Sequence, residues 1–332
     1  MKRLWIGLLA ACLLLTLTAC GKSEDPKTSN ITIVDQAGRE VALEKPAEKV
    51  VSGYYIATST LIGLGQKDKL VGVEMKADKR MIYKKAAPQV VDLPAMGNKK
   101  SFNVEECAKA KPDVVFLPNS LSSYIDQLEE LGMKVIILNP ETMSDYDEAV
   151  KIIATVTGAK DEADAYFTYR DELETKYLKQ DMDQEKLVYF AGSELLEASG
   201  EHMFQGELIK KAGGSNVIKE GKDTTWMKIN KEELLKQNPA YIFVENKGAD
   251  FNGFYTDPAY QDITAVKEKQ VYEFPSKLET WDTPNLSSCL GELYMASILY
   301  PEKITQDDVI KEAQTFYQKF YQISVTAKDL GL

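Results

Sequence analysis

Residues 102–117 read FNVEECAKAKPDVVFL, and residues 229–244 read INKEELLKQNPAYIFV. The two stretches align without a gap and share one set of local instructions. Asn103 and Asn230 can each cap a short helix through the side-chain oxygen, and Glu106 and Glu233 follow three residues later as capping-box partners. Pro112 and Pro239 then end the helix, because proline lacks the N–H that a further turn needs. An apolar strand follows in both copies. The copies start 127 residues apart, at 102 and 229, a spacing too long for a solenoid repeat and suited to a duplicated lobe.

Moving outward, the same alternation extends on both sides. Residues 31–34 and 41–43 are β-branched and flank the turn 35–39 with Gly38, the pattern of a small hairpin. Short apolar strands at 50–51, 70–73, 114–117 and 135–138 alternate with helical patterns at 56–64, 79–87 and 124–131. That rhythm predicts an α/β fold with mainly parallel sheets. Residues 144–179 differ, with hardly a Gly or Pro and with Ile152, Ile153, Val156, Ala163, Tyr166, Tyr169, Leu173 and Tyr177 at near-helical spacing. Gly158 is the expected break in that helical run, with Asp161 and Glu162 in the first turn after it. Strands at 187–190 and 241–244 and helices near 204–212, 287–300 and 307–321 complete the pattern. The expectation is two Rossmann-like lobes, residues 31–143 and 182–332, joined by a long helical connection over 144–181.

The start of the chain carries targeting information. Lys2 and Arg3 precede an uncharged apolar run, 4–17, too short to span a bilayer comfortably, which is the form of a secretory signal over residues 1–19. The run ends in Leu17-Thr18-Ala19-Cys20-Gly21, which resembles a bacterial lipobox, so Cys20 is the expected lipidation site. Polar residues 20–30 then read as a flexible tether to a membrane-anchored, extracytoplasmic domain. A net charge of −11 argues against nucleic acid and against an anionic membrane face. Past Cys20 only Cys107 and Cys289 remain, both beside apolar residues in helix-like segments, and two buried free thiols are expected rather than a disulfide. There is one histidine, His202, too few for a bare transition-metal site. No phosphate-cradling glycine loop or Ser/His/Asp set is present, which leaves an extracytoplasmic enzyme or a structural surface lipoprotein as the weaker classes. Clustered acids Glu194, Glu197 and Glu201 read as a solvated face.

Taken with residues 61–65 (LIGLG), 69–73 (KLVGV), 103–105, 111–113 and 208–216 (LIKKAGGSN), the chain resembles the iron-siderophore, haem and cobalamin class of periplasmic binding proteins, the substrate-binding lipoproteins of ABC importers. The resemblance covers nearly the whole chain past the signal. It implies two lobes bridged by a rigid helix, a ligand held between them, and a monomer that meets a dimeric permease with its ATPase subunits. It also implies that Glu105 and Glu232, one on each lobe, dock onto permease arginines, for which bidentate carboxylate pairing gives orientation as well as energy. The residues by themselves allow a plainer role, since a first-turn glutamate is favoured by the helix dipole.

In open α/β lobes the ligand lies beyond the carboxyl ends of the strands. Tyr54 and Tyr55 follow one strand directly, Arg80 and Lys99 follow others, and Trp226, Tyr255 and Trp281 occupy loop-like stretches of the second half. Aromatic and basic side chains suit a broad or chelate-type ligand by stacking and charge pairing. A ferric siderophore brings its own oxygen ligands and asks the protein for no metal bond or cofactor; a corrinoid or haem is the alternative.

Overall fold

A computed structural model describes residues 31–179, 185–219, 225–245 and 249–332. The expected signal, Cys20 and the tether therefore lie outside the described residues. Strands β1 (Ile31–Val34) and β2 (Glu40–Leu43) form the antiparallel hairpin, turning through Gly38 at φ 78. There follow β3 (Val50–Ser52), α1 (Tyr55–Gly63), β4 (Leu70–Gly72), α2 (Met81–Ala86), β5 (Gly97–Asn98), β6 (Ser101–Phe102), α3 (Val104–Ala110), β7 (Val114–Pro118), α4 (Ile125–Glu130) and β8 (Lys134–Leu138). Four of these strands make a parallel sheet in the order β4-β3-β7-β8. Every residue of β3 and β7 is buried, as expected for a parallel sheet covered on both faces.

Helices α5 (Met143–Thr157) and α6 (Lys160–Leu173) come next. Thr142 and Asp145 close a full capping box at the start of α5, and Gly158 ends it at φ 77, a left-handed position that glycine takes without steric cost. The long connection is thus a pair of helices, extended by a π-helical turn over Glu174–Leu178, rather than one rod. A glycine in the left-handed region cannot carry the hydrogen-bond ladder through.

The second half contains β9 (Lys186–Ala191), β10 (Glu197–Ala198), α7 (Phe204–Lys211), β11 (Gly214–Asn216), β12 (Met227–Lys228), α8 (Lys231–Gln237), β13 (Tyr241–Val244), α9 (Asn252–Thr256), α10 (Thr264–Lys267), β14 (Val271–Glu273), α11 (Ser288–Leu299), α12 (Gln306–Phe316) and α13 (Ala327–Leu330). Its sheet runs β12-β10-β9-β13-β14, with β11 also on β9. The β9, β11, β13 and β14 pairings are parallel, and only the short β10 runs against them, with β12 antiparallel to β10 at the sheet edge. The fold is α/β, with two lobes and mainly parallel sheets.

The sequence echo is also a structural one. Asn103 accepts the N–H of Glu106 at 3.0 Å, and Asn230 accepts that of Glu233 at 2.8 Å. Both helices end on a left-handed residue, Lys111 at φ 49 and Asn238 at φ 42, before β7 and β13. Only the asparagine half of the expected capping box forms in either copy, and in the first the Glu106 carboxylate turns to Lys109 at 3.5 Å.

The C-terminal helices return to the connection. Tyr169 of α6 lies 5.8 Å from Phe316 and 5.5 Å from Phe320, and Tyr166 lies 6.0 Å from Phe320. Thr60 on α1 and Tyr146 on α5 share a hydrogen bond of 2.9 Å, and Ser59 on α1 donates to Glu279 of the second half. One core runs from β1 through the connecting helices to α13, and a smaller cluster sits under the outer face of each lobe. This continuous base fixes the two strand-end surfaces relative to each other.

Candidate ligand cleft

The chain leaves β3 through Ser52, whose hydroxyl donates to the Tyr54 carbonyl at 2.9 Å, and enters α1 with Tyr54 as its N-cap residue. All of α1 from Ile56 to Gly63 is buried, and the half-buried Tyr54 and Tyr55 at its start are more open to the cleft. Their rings meet edge-on at 5.4 Å. Arg80, which caps α2, sets its guanidinium 4.6 Å over the Tyr55 ring. Its Nε donates to buried Glu74 at 3.0 Å, and Glu74 also accepts from Thr58 at 2.6 Å and Tyr83 at 3.0 Å. Lys99, in the turn between β5 and β6, brings Nζ to 6.0 Å from the same Tyr55 ring. Four of the seven expected ligand residues therefore gather in one place, each at the carboxyl end of a strand or in the loop beyond it.

Burial pushes the Tyr55 hydroxyl up to about 12, with Arg80 acting against the shift, and pushes Tyr54 higher still. Both phenols are neutral at ordinary pH and can both donate and accept a hydrogen bond. In the second lobe, Trp226 is half-buried 6.3 Å from Phe190, and it packs on Gly192, just past the carboxyl end of β9, where a Cβ would come within 2.8 Å of the indole. Two carboxylates complete the surroundings. Glu245 follows β13 and Glu141 lies between β8 and α5; desolvation raises the pKa of each, while Lys99 draws each down. Lys99 thus lies within electrostatic reach of a carboxylate of its own lobe and of one from the second lobe. The sequence reading missed both acids, although each follows an expected strand, which is the signal that would have found them.

Between residues 76–83 and 276–285 the cleft ends in a cavity of about 280 Å³, bounded by Tyr55, Arg80, Lys76, Lys277, Glu279 and Thr280. The carboxylate of Glu279 accepts from Ser59 and, at 2.8 Å, from Ser287, so it is held rigidly in the cavity wall.

Two expected contacts are corrected. Trp281 is 1% exposed, its Nε1 donates to the Tyr317 hydroxyl at 2.9 Å, and it belongs to the main core, where it offers no surface to a ligand. Tyr255 packs on the second lobe's own core, with its hydroxyl beside the Val271 backbone at the start of β14, the end of the strand away from the cleft. Glu105 and Glu232 occupy matching first-turn positions on α3 and α8, both exposed; Glu105 lies 3.1 Å from Lys109. Cys107 and Cys289 are free and buried in separate clusters. His202 is exposed just before α7. The acids Glu194 and Glu201 pair with Lys228 at 3.3 Å and Lys219 at 3.9 Å on the surface.

Known proteins resemble this chain in sequence and in fold. The chain is 27% identical to the molybdate-binding protein MolA of Haemophilus influenzae over 96% of its own length and 97% of that protein's. It is also 27% identical to YvrC of Bacillus subtilis, an uncharacterized ABC transporter substrate-binding lipoprotein, over 90% of this chain and 97% of that one. In fold it is similar to a periplasmic solute binding protein from Veillonella parvula, with a TM-score of 0.77 at 23% identity, covering 90% of this chain and 95% of the other. The family model for periplasmic binding proteins matches residues 50–278, from the first residue of β3 to the wall of the cavity, and the chain belongs to that family.

Proposed function

We propose that this protein captures a metal-containing ligand, a ferric chelate in the first place, between its lobes and hands it to an ABC permease from a lipid anchor at Cys20. The coarser statement rests on the family and its members: this is a substrate-binding protein of an ABC importer. The observation that carries the ligand site is the convergence of Tyr54, Tyr55, Arg80 and Lys99 at the strand ends of the first lobe, with Trp226 beside a strand end of the second. Aromatic faces and fixed cations from one lobe, with an indole from the other, suit a ligand that already satisfies its metal and presents oxygen-rich, polarisable edges. Corrinoid and haem suit the aromatic surfaces as well. A molybdate-type oxyanion is a second reading, favoured by the full-length match to MolA.

Delivery needs a docking surface. Glu105 and Glu232 stand on equivalent helices, one per lobe, and two separated carboxylates would fix both lobes against permease arginines. Uptake of radiolabelled ferric chelate, molybdate and cobinamide by cells with and without the gene tests the proposal. Loss of uptake of one of these on deletion supports it, and unchanged uptake of all three removes it.

A further inference from the structure

The cavity at the end of the cleft carries more positive charge than its own packing uses. Lys76, Lys79 and Arg80 from the first lobe and Lys277 from the second line it. Arg80 is engaged by Glu74 at 3.0 Å, and Lys79 by Asp78 at 2.8 Å. Lys277 donates to the Lys328 carbonyl at 2.7 Å, a neutral acceptor that leaves its charge uncancelled. Among the described residues neither Lys76 nor Lys277 is paired with a carboxylate. Lys76 also holds a left-handed backbone at φ 70, a conformation that is unfavourable for a residue with a Cβ and that clusters at ligand sites.

The one carboxylate in the wall, Glu279, has hydroxyl donors on both oxygens, and its burial favours the neutral acid. The half-buried Thr280 and the Ser59 hydroxyl add polar edges. Size narrows the occupant further. At about 280 Å³ the cavity sits at the lower edge of the ~300–1,000 Å³ of pockets for drug-sized ligands, too small to enclose a porphyrin or a corrin ring.

We infer that this cavity takes a compact oxyanionic group, either a free tetrahedral oxyanion or the carboxylate arm of a larger chelate, and that the transported ligand is therefore an anion. The inference rests on the cleft being the ligand site and adds the ligand's charge and the size of its anchoring group. Lys76 and Lys277 come from opposite lobes, so an anion between them also draws the two walls together.

The test is calorimetric titration of the chain from Gly21 to Leu332, and of its Lys76→Gln/Lys277→Gln variant, with molybdate, ferric citrate and a positively charged ferric trihydroxamate. Both lysines are exposed, and equal thermal midpoints for the two proteins establish that the variant folds. Binding of molybdate or ferric citrate, weakened at least about tenfold in the variant and by added salt, is the expected result. Molybdate binding identifies a free oxyanion as the ligand; binding of ferric citrate alone identifies the carboxylate arm. Binding of the cationic trihydroxamate alone, with equal affinity in both proteins, leaves the transport function standing and overturns the inference. Binding of none of the three overturns the inference and leaves the corrinoid and haem readings of the cleft standing.

Discussion

Arg80 donates through Nε to Glu74 at 3.0 Å while its guanidinium lies 4.6 Å over the Tyr55 ring. A planar cation held from below by a buried carboxylate and from the side by an aromatic face keeps its remaining N–H groups in a fixed fork. Little side-chain entropy is left to lose when a ligand binds, so the hydrogen bonds it makes there contribute nearly in full.

Arg80→Gln is expected to lower ligand affinity about 10- to 100-fold, the equivalent of one or two charge-assisted hydrogen bonds. Arg80→Lys keeps the charge but not the fork and should recover only part of the loss. Glu74 is buried and Arg80 is its cation, so Arg80→Gln should also lower the thermal midpoint, whereas Arg80→Lys, which keeps the charge, should lower it less. Calorimetry and thermal unfolding on the same samples check both points.

Removing both docking carboxylates separates binding from delivery. Glu105→Ala with Glu232→Ala should leave ligand affinity unchanged, because both side chains are exposed on helices outside the cleft, and should abolish uptake in cells. Normal transport by the double variant would eliminate the docking role.

A half-buried ionic group around the buried Glu292 joins the connecting helices to the second lobe. Arg170 pairs with Asp147 through both guanidinium nitrogens, Lys211 pairs with Glu174, and Glu292 lies 3.7 Å from Lys211. Burial raises Glu292 from its ordinary 4.5 to about 7, with Lys211 opposing. Because the folded state holds this proton more tightly, its contribution to stability is full below about pH 4.5. It declines as pH rises toward about 7, and it is lost above that, a change on the order of 3 kcal/mol. Glu292→Gln should therefore match the wild type near pH 4 and exceed it in stability at pH 8. Urea unfolding at both pH values measures the difference.

Gly291 decides whether α11 can pass beneath the Trp281 loop. A Cβ there would stand 2.2 Å from the Trp281 carbonyl oxygen, a backbone atom with no rotamer to yield. Gly→Ala in a helix normally gains up to about 1 kcal/mol, whereas overpacking costs about 1–3 kcal/mol. The clash should win, so Gly291→Ala is expected to lower the denaturant midpoint.

The parts of the fold legible in the sequence are those whose signal is local. Asn103 and Asn230, Pro112 and Pro239, and Gly158 each act within one turn of chain, and the structure places caps, helix ends and the break at those residues. Tyr54, Tyr55, Arg80 and Lys99 were legible for a related reason: the carboxyl end of a parallel strand is a position that the strand pattern itself specifies. Trp281 and Tyr255 were not. Both sit in segments without periodicity, and what buries Trp281 is Tyr317, 36 residues further on, a contact that no local pattern encodes. Strands β10 and β12, two residues each, are too short to show an alternation at all.

The central claim is that a ligand binds between the lobes against Tyr55, Arg80 and Trp226. Its most direct test is a fluorescence titration of the chain from Gly21 to Leu332 with ferric chelates, molybdate, cobinamide and haemin. Trp226 and Trp281 are the only tryptophans in that segment, and Trp281 is sealed in the core. Saturable quenching by one ligand that disappears in Trp226→Phe, while calorimetry still registers binding, is the predicted result. Quenching that survives Trp226→Phe unchanged, or no response to any ligand by either method, would contradict it.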